Sequence, residues 1–437
     1  MPLVCSRLLV VGVCAALVAG CSAAGNMSGG GGGTGGSTGG GGGNNATTVT
    51  ITFIGPSIPG LVAAQVGTGA MAAKTLSGNV LTLSIPSGTS NYSVAYLCPA
   101  LVNGQLSSQF EYVWEASIVD GTALTFACAY PQSLTPTLSG SLDASAIPGV
   151  VSFQINAQNG SSFGEGGGGF SGGPTGNFNV PAPTGSDRVL VLADTSQGDG
   201  PAAAKNFDNQ TVPGALNGGN TVVFGTADET TPEPLTYNNV PSGFSSPSTY
   251  VELGIGGTAP EYLYASDATT QYLALPAGAT EKGDVYFLEA GASNANRPST
   301  VGTEIISSGG PASFNFPAAW SYDGPTPAAL PSFAMAYTGF SGQANTSQNA
   351  WISWKPGNSG GSTENIQVEA TASYQNGSTT LAIPDLSGTA GFFPPPSSGT
   401  RAEWNVWINQ QSWGLTSPVP SNATSNQVTN SGQYTVP

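Results

Sequence analysis

Val49-Thr50-Ile51-Thr52-Phe53-Ile54 alternates apolar side chains with threonine, so an extended chain puts Val49, Ile51 and Phe53 on one face and the threonines on the other. β-Branched and aromatic residues in that order fit a half-buried strand. Leu138-Ser139-Gly140-Ser141-Leu142 repeats the alternation, and Tyr92-Ser93-Val94-Ala95-Tyr96-Leu97, Val285-Tyr286-Phe287-Leu288 and Trp404-Asn405-Val406-Trp407-Ile408 are further β runs. Gly, Pro, Asn and Ser break the chain about every ten residues, the punctuation of a sandwich. Helical periodicity is nearly absent; alanine-rich Leu61 to Lys74 is the one candidate, weakened by Gly67 and Gly69. The expected fold class is all-β: tandem antiparallel β-sandwich modules following a disordered Gly-rich tether.

The body repeats one plan at a spacing of about 90 to 110 residues. A strand ends in a turn with Pro and Gly, and a strong β run follows: Ile85-Pro86-Ser87-Gly88, Ala182-Pro183-Thr184-Gly185, Leu275-Pro276-Ala277-Gly278, and Ile383-Pro384 with Gly388. Short strands running into proline close the copies: Ala129-Tyr130-Pro131, Asn239-Val240-Pro241, Asn315-Phe316-Pro317 and Thr435-Val436-Pro437. The expected modules are 46–131, 132–241, 242–317 and a Trp-rich 318–437, after 1–20 and 21–45. Gly140 after the first strand of the second copy, with Gly176-Asn177-Phe178-Asn179-Val180 before its turn, resembles transthyretin-like or carboxypeptidase-regulatory-like modules of bacterial surface proteins. An Ig-like or fibronectin-like sandwich fits the same pattern.

Residues 1–20 have the parts of a secretory signal: Arg7 near the start, an apolar stretch from Leu8 to Val18, and small residues before the cut. Leu17-Val18-Ala19-Gly20-Cys21 resembles the lipobox of a bacterial lipoprotein precursor. The resemblance implies cleavage before Cys21 and a diacylglyceryl thioether on its sulfur, so the membrane is the expected partner through Cys21. Outer membrane or cell surface is favoured, since Ser22 is not the aspartate that retains some lipoproteins at the inner membrane. Ser22 to Asn45 is half glycine and uncharged, and cannot bury enough apolar surface to order itself. Such a coil spans on the order of 25 to 30 Å. No Gly-Lys pair supports reading the glycines as a phosphate loop.

Only 7% of residues are charged, with Asp and Glu at 24 against Lys and Arg at 8. The absence of basic patches argues against nucleic acid. The chain has no histidine, which removes the commonest general base and metal ligand. Cys98 and Cys128 would meet an oxidising compartment, where pairing is the default. Closing that loop would contribute roughly 3 to 4 kcal/mol on the chain-entropy model.

Four constellations bear on chemistry. Gly169-Phe170-Ser171-Gly172-Gly173 matches the pattern of a nucleophile elbow, but lacks a histidine and sits in a glycine run. Glu111 and Glu115 share a strand face with Val113, roughly 13 Å apart, and read as solvated. Asp194, Asp199 and Asp208, with Asn206 and Asn209 nearby, are the densest oxygen cluster and the one place for Ca2+; otherwise no cofactor is expected. All of the seven tryptophans except Trp114 lie between Trp320 and Trp413. In the last module alternation leaves Trp351 and Trp407 off the apolar face, where they could stack a sugar ring with help from Tyr374, or be covered by loops.

The leading expectation is therefore a membrane-anchored exported lipoprotein, not an enzyme, with a structural, adhesion or interaction role toward an envelope protein or glycan. The alternatives are a carbohydrate-binding lipoprotein using Trp351 and Trp407, and a hydrolase built on carboxylates.

Overall fold

The computed structural model describes residues 46–54, 59–102, 105–127, 137–159, 162–170, 173–195, 200–254, 265–294, 296, 298–340, 346–356, 363–412 and 423–437. Residues 1–45, with the expected leader, tether and Cys21, and also Cys128, Asp199, Ser171 and Tyr130 lie outside them. The described chain is all-β, with many antiparallel pairings and one four-residue α-helix among the described residues.

The first seven strands are β1 (Thr47–Ile54), β2 (Leu61–Val66), β3 (Ala72–Ala73), β4 (Val80–Ile85), β5 (Asn91–Val102), β6 (Gln105–Ser117) and β7 (Ala123–Ala127). Strands β4-β1-β7 form one layer and β6-β5-β2-β3 the other. The alternation of β1 sets the packing: Val49, Ile51 and Phe53 are buried against Val94, Tyr96 and Trp114. Phe53, Tyr96 and Phe126 form an aromatic cluster with centroids 5.2 to 6.1 Å apart. The alanine-rich stretch at Leu61 is strand β2, not a helix, because Val62 and Ala64 fill this core while Ala63 packs on the other face.

Next come β8 (Thr137–Asp143), β9 (Val150–Asn159), β10 (Ser162–Gly169), β11 (Thr175–Pro181), β12 (Gly185–Thr195), β13 (Pro201–Val212), β14 (Gly214–Ala215) and β15 (Val222–Val223). Layer β10-β9-β12-β13 faces layer β11-β8-β14, to which β15 adds. Gly140 in β8 leaves room for Phe178, whose ring would lie 2.6 Å from any Cβ there. Val189 to Ala193 in β12 is buried at every position, as an uninterrupted apolar run requires. Val189 and Val191 face the layer inside, while Leu190 and Leu192 join the core of the strands that follow.

Those are β16 (Thr231–Asn238), β17 (Ser248–Gly254), β18 (Ala265–Ala268), β19 (Gln271–Ala274), β20 (Val285–Ser293), β21 (Ser299–Ser307) and β22 (Ala312–Asn315). Strand β16, which the punctuation places before residue 241, lies between β19 and β22. The two proline-bounded marks after β16 and β22 are thus side by side, with Asn238 level with Asn315 and Phe316 N–H donating to the Asn238 carbonyl at 3.1 Å.

The last strands are β23 (Ser332–Ala334), β24 (Thr346–Trp354), β25 (Thr363–Thr371), β26 (Thr380–Ala382), β27 (Arg401–Gln411) and β28 (Thr424–Thr435), with helix α1 (Ala372–Gln375) after β25. Three of the four groups share one 12-stranded sheet in the order β18-β17-β20-β21-β28-β27-β24-β25-β6-β5-β2-β3. All its pairings are antiparallel except β25 with β6. Layers β19-β16-β22 and β23-β26 cover one face, packing Tyr272, Phe314, Phe333 and Leu381 on Leu288, Val428, Val406 and Ile352. Layer β4-β1-β7 covers the opposite face, over β5 and β6.

Arg188 of β12 ties the second group to the third. Its guanidinium donates to both Asp284 oxygens at 2.9 and 2.7 Å and to Asn206 at 2.8 Å, and lies 3.1 Å from Glu281.

Two outcomes follow from this packing. Ile352→Ala, at a fully buried position in the middle of the long sheet, should lose about 2 to 5 kcal/mol in a urea titration, while Val119→Ala, 76% exposed, should stay within about 0.5 kcal/mol of the parent. Arg188→Ala should cost about 3 to 5 kcal/mol, because it leaves the Asp284 carboxylate buried without its counter-ion; unchanged thermal unfolding would refute the tie.

Candidate functional site

Alternation on the long sheet separates two sets of side chains. On β24, Ala350, Ile352 and Trp354 enter the core; on β27, Trp404, Val406 and Ile408 do the same. The other face collects Asn349, Trp351 and Ser353 from β24 and Arg401, Glu403, Asn405 and Trp407 from β27. Asn349 stands level with Trp407, Trp351 with Asn405 and Ser353 with Glu403. Glu369 and Gln367 of β25 extend the first two rows.

This polar face is largely buried. Trp407 is 4% exposed and Asn349 0%, while Trp351 is half-buried. Trp407 therefore offers no open ring for stacking, and its flanking by two asparagines signalled a polar lining rather than a surface. Tyr374 belongs to the opposite face: its hydroxyl accepts from Ser93 at 3.2 Å and donates to Glu115. Helix α1 sets it there, with the Thr371 hydroxyl accepting from the Tyr374 N–H at 3.2 Å and Asn376 ending the helix in the left-handed region. The structure thus brings Trp351 and Trp407 to one face and leaves Tyr374 out.

Several polar atoms of the face are buried without a partner: Asn349 Oδ1, Asn405 Oδ1 and Trp407 Nε1. A buried donor or acceptor left unsatisfied costs about 1 to 3 kcal/mol, so such atoms call for a ligand or a water. Asn349 Nδ2 donates to Ser347 Oγ at 3.1 Å, and Ser347 in turn donates to Glu369.

The rows open at one end into a cavity of about 690 Å³. Lys355, Arg401 and Glu403 line it with the hydroxyls of Ser353, Thr363 and Thr400. Arg401 donates to Gln433 Oε1, and Gln433 Nε2 donates to Glu403 Oε1 at 2.9 Å.

The Ca2+ expectation meets a different geometry. Asp194 lies level with Pro201 at one end of the β12/β13 pair, and Asp208 lies seven residues up the strand, roughly 23 Å away. Calcium ligands surround one centre at about 2.3 to 2.6 Å, so the two cannot share an ion. Asp208 and Asn206 instead join the Arg188 cluster, where the hydrogen bond shared with Glu281 lowers the Asp208 carboxyl and raises that of Glu281. Burial lifts Asp194 to about 6. Among the described residues no group of three or more His, Cys, Asp or Glu could hold a metal ion. Cys98 is disulfide-bonded.

Carboxylates buried in the sheet escaped the sequence reading. Glu111 is 0% exposed rather than solvated, accepting from Phe393 N–H at 3.0 Å, and burial pushes it up to about 7. Burial likewise lifts Glu115 to about 7, Glu304 to about 7, Glu289 and Glu369 to about 8, and Glu252 to about 9. Glu289 and Glu304 sit level on adjacent strands, and after burial the charge of Glu304 further disfavours ionisation of Glu289. The available signal was the spacing of Glu289 from Val285 and Phe287, whose buried face it shares.

No family model matches the chain, and no curated protein matches it. Solved structures with some likeness include the tip fimbrial protein Mfa3 from Porphyromonas gingivalis with C-terminal truncation, at TM-score 0.18 and 13% identity over 44% of this chain and 83% of that one. The Bacillus anthracis TIE protein gives 0.14 and 10% over 62% and 50%. A Ca2+-stabilized adhesin that helps an Antarctic bacterium reach out and bind ice gives 0.12 and 9% over 90% and 99%. All these scores lie far below the level of a shared fold.

The buried carboxyls set a pH dependence. Each has a folded-state value above its ordinary 4.5, so the folded chain holds protons that the unfolded chain releases. Their stabilisation is complete below about 4.5 and is lost as pH rises through 7 to 9. The melting temperature should fall between pH 5 and pH 9, and Glu252→Gln should flatten that decline; a melting temperature rising over the interval would contradict the burial.

Proposed function

We propose that the chain is an exported, lipid-anchored protein of the cell envelope with a non-enzymatic adhesive or structural role. The observation that carries this reading is Leu17-Val18-Ala19-Gly20-Cys21 followed by the neutral glycine-rich stretch, ahead of a body whose first strand among the described residues begins at Thr47. Two or three acyl chains on Cys21, at about 0.8 kcal/mol per buried methylene, would hold the chain stably to a membrane where one would not. The tether would carry the body clear of the headgroups.

The architecture supports a load-resisting or surface-presenting role. Residues 61–117, 248–307 and 346–435 contribute strands to one hydrogen-bonded sheet, so the body behaves as a single stiff element rather than beads on a string. Four repeats of one sandwich plan underlie it in this reading, with β16 serving the third. Among the described residues no helix is long and apolar enough to cross a membrane.

The anchor is tested in the precursor. The parent protein should enter the detergent phase on Triton X-114 partitioning and take up labelled fatty acid, while Cys21→Ser should stay aqueous and unlabelled. Equal partitioning of the two would refute lipidation at Cys21.

A further inference from the structure

We propose that the cleft at the Lys355 and Arg401 end of the long sheet binds an acidic saccharide residue, taking its carboxylate between the two cations and its hydroxyls on Glu403, Ser353 and Thr400. The proposal names a ligand class for the adhesive reading above and rests on that reading for its setting.

The first observation is a local conflict of charge. The last cross-strand pair of β24 with β27 is Trp354 with Ala402. Lys355 follows the end of β24 and Arg401 opens β27, and both line the same cavity. Like charges gathered in one cavity repel each other. In a chain with only 8 basic residues and a net charge of -16, two of them line this one cavity. The ion pairs among the described residues engage Arg188 and Lys205, not these two. An anion between them would turn the repulsion into two charge-assisted hydrogen bonds.

The second observation is the lining. A cavity of about 690 Å³ is ample for a sugar residue, and Ser353, Thr363 and Thr400 line it together with the cations. Glu403 shares the cleft and is held in place by Gln433, so it is available to accept from ligand hydroxyls. A simple anion would leave Glu403 and the hydroxyl-bearing residues of the cleft unused, and a neutral sugar would leave the two cations uncompensated. A residue with one carboxylate and several hydroxyls satisfies both. Behind the cleft on the same face, Asn405 presents its unpartnered Oδ1 beside the half-buried Trp351, which extends the polar lining inward. The saccharide contact thus shifts from the buried Trp407 to the cleft rim.

Calorimetry on the detergent-solubilised full chain, using trigalacturonate, its methyl ester and acetate, tests this. Trigalacturonate should bind, more weakly as salt rises, with the methyl ester and acetate each at least about tenfold weaker. Arg401→Gln and Lys355→Gln should each weaken trigalacturonate about tenfold while still giving a cooperative thermal unfolding transition. Glu403→Gln should weaken trigalacturonate and leave acetate unchanged. No binding of trigalacturonate, equal binding of the methyl ester, acetate binding as tight as the trisaccharide, or insensitivity to both cation variants would each overturn the proposal. Detergent partitioning of the same variants should match the parent, so a failed anchor and a failed cleft give different results.

Discussion

Every β-strand carries a row of backbone donors and acceptors that must be paired, and a sandwich standing alone ends in strands with one row open. Here the open rows are paired with one another. Strand β28 takes β21 and strand β25 takes β6, so three sandwiches close their edges on each other and leave only β18 and β3 at the ends of the 12-stranded sheet. Both end strands are short, four and two residues, which limits the open edge that could pair with another chain. Because the join is made of ladder hydrogen bonds and not only side-chain contacts, the groups cannot rock independently without breaking sheet.

The faces of that sheet are used unequally. Small layers cover one face over β17 to β25 and the opposite face over β5 and β6. Between them lies a stretch of β24, β25, β27 and β28 whose second face carries Asn349, Glu369, Asn405 and Trp407. Burial there, with few cations in the chain, keeps Glu369 protonated near neutrality, as it does Glu289 on β20 and Glu252 on β17 further along the sheet. A protonated carboxyl is a hydrogen-bond donor as well as an acceptor, so these residues fit among amides and hydroxyls without a counter-ion. The charged residues that remain exposed on this face, Lys355, Arg401 and Glu403, are confined to the open end where the cavity lies.

Much of the architecture was legible in the order of residues. Val49 to Phe53 and Trp404 to Ile408 named their own inward faces, and uninterrupted runs such as Val189 to Ala193 and Val285 to Leu288 named strands covered on both sides. The site was less legible. Trp351 and Trp407 were rightly placed off the apolar face, yet whether that face was open depended on what lies over it. Glu111 illustrates the limit: its alternation with Tyr112 was clear, but the face it shares with Val113 is the core one, filled by Phe393 from far along the chain.

By itself the sequence determined strand, turn, chain order and the side on which each residue falls, because these follow from a period of two and from the backbone preferences of Gly, Pro and β-branched residues. The apolar run from Leu8 to Val18 and the cysteine at position 21 are likewise features of the sequence alone. Only the tertiary structure decided which edges join, since every strand offers the same backbone groups and no residue type marks its partner. The same holds for the cleft: Lys355 and Arg401 stand 46 positions apart, and the pairing of β24 with β27 brings the two cations to one cavity.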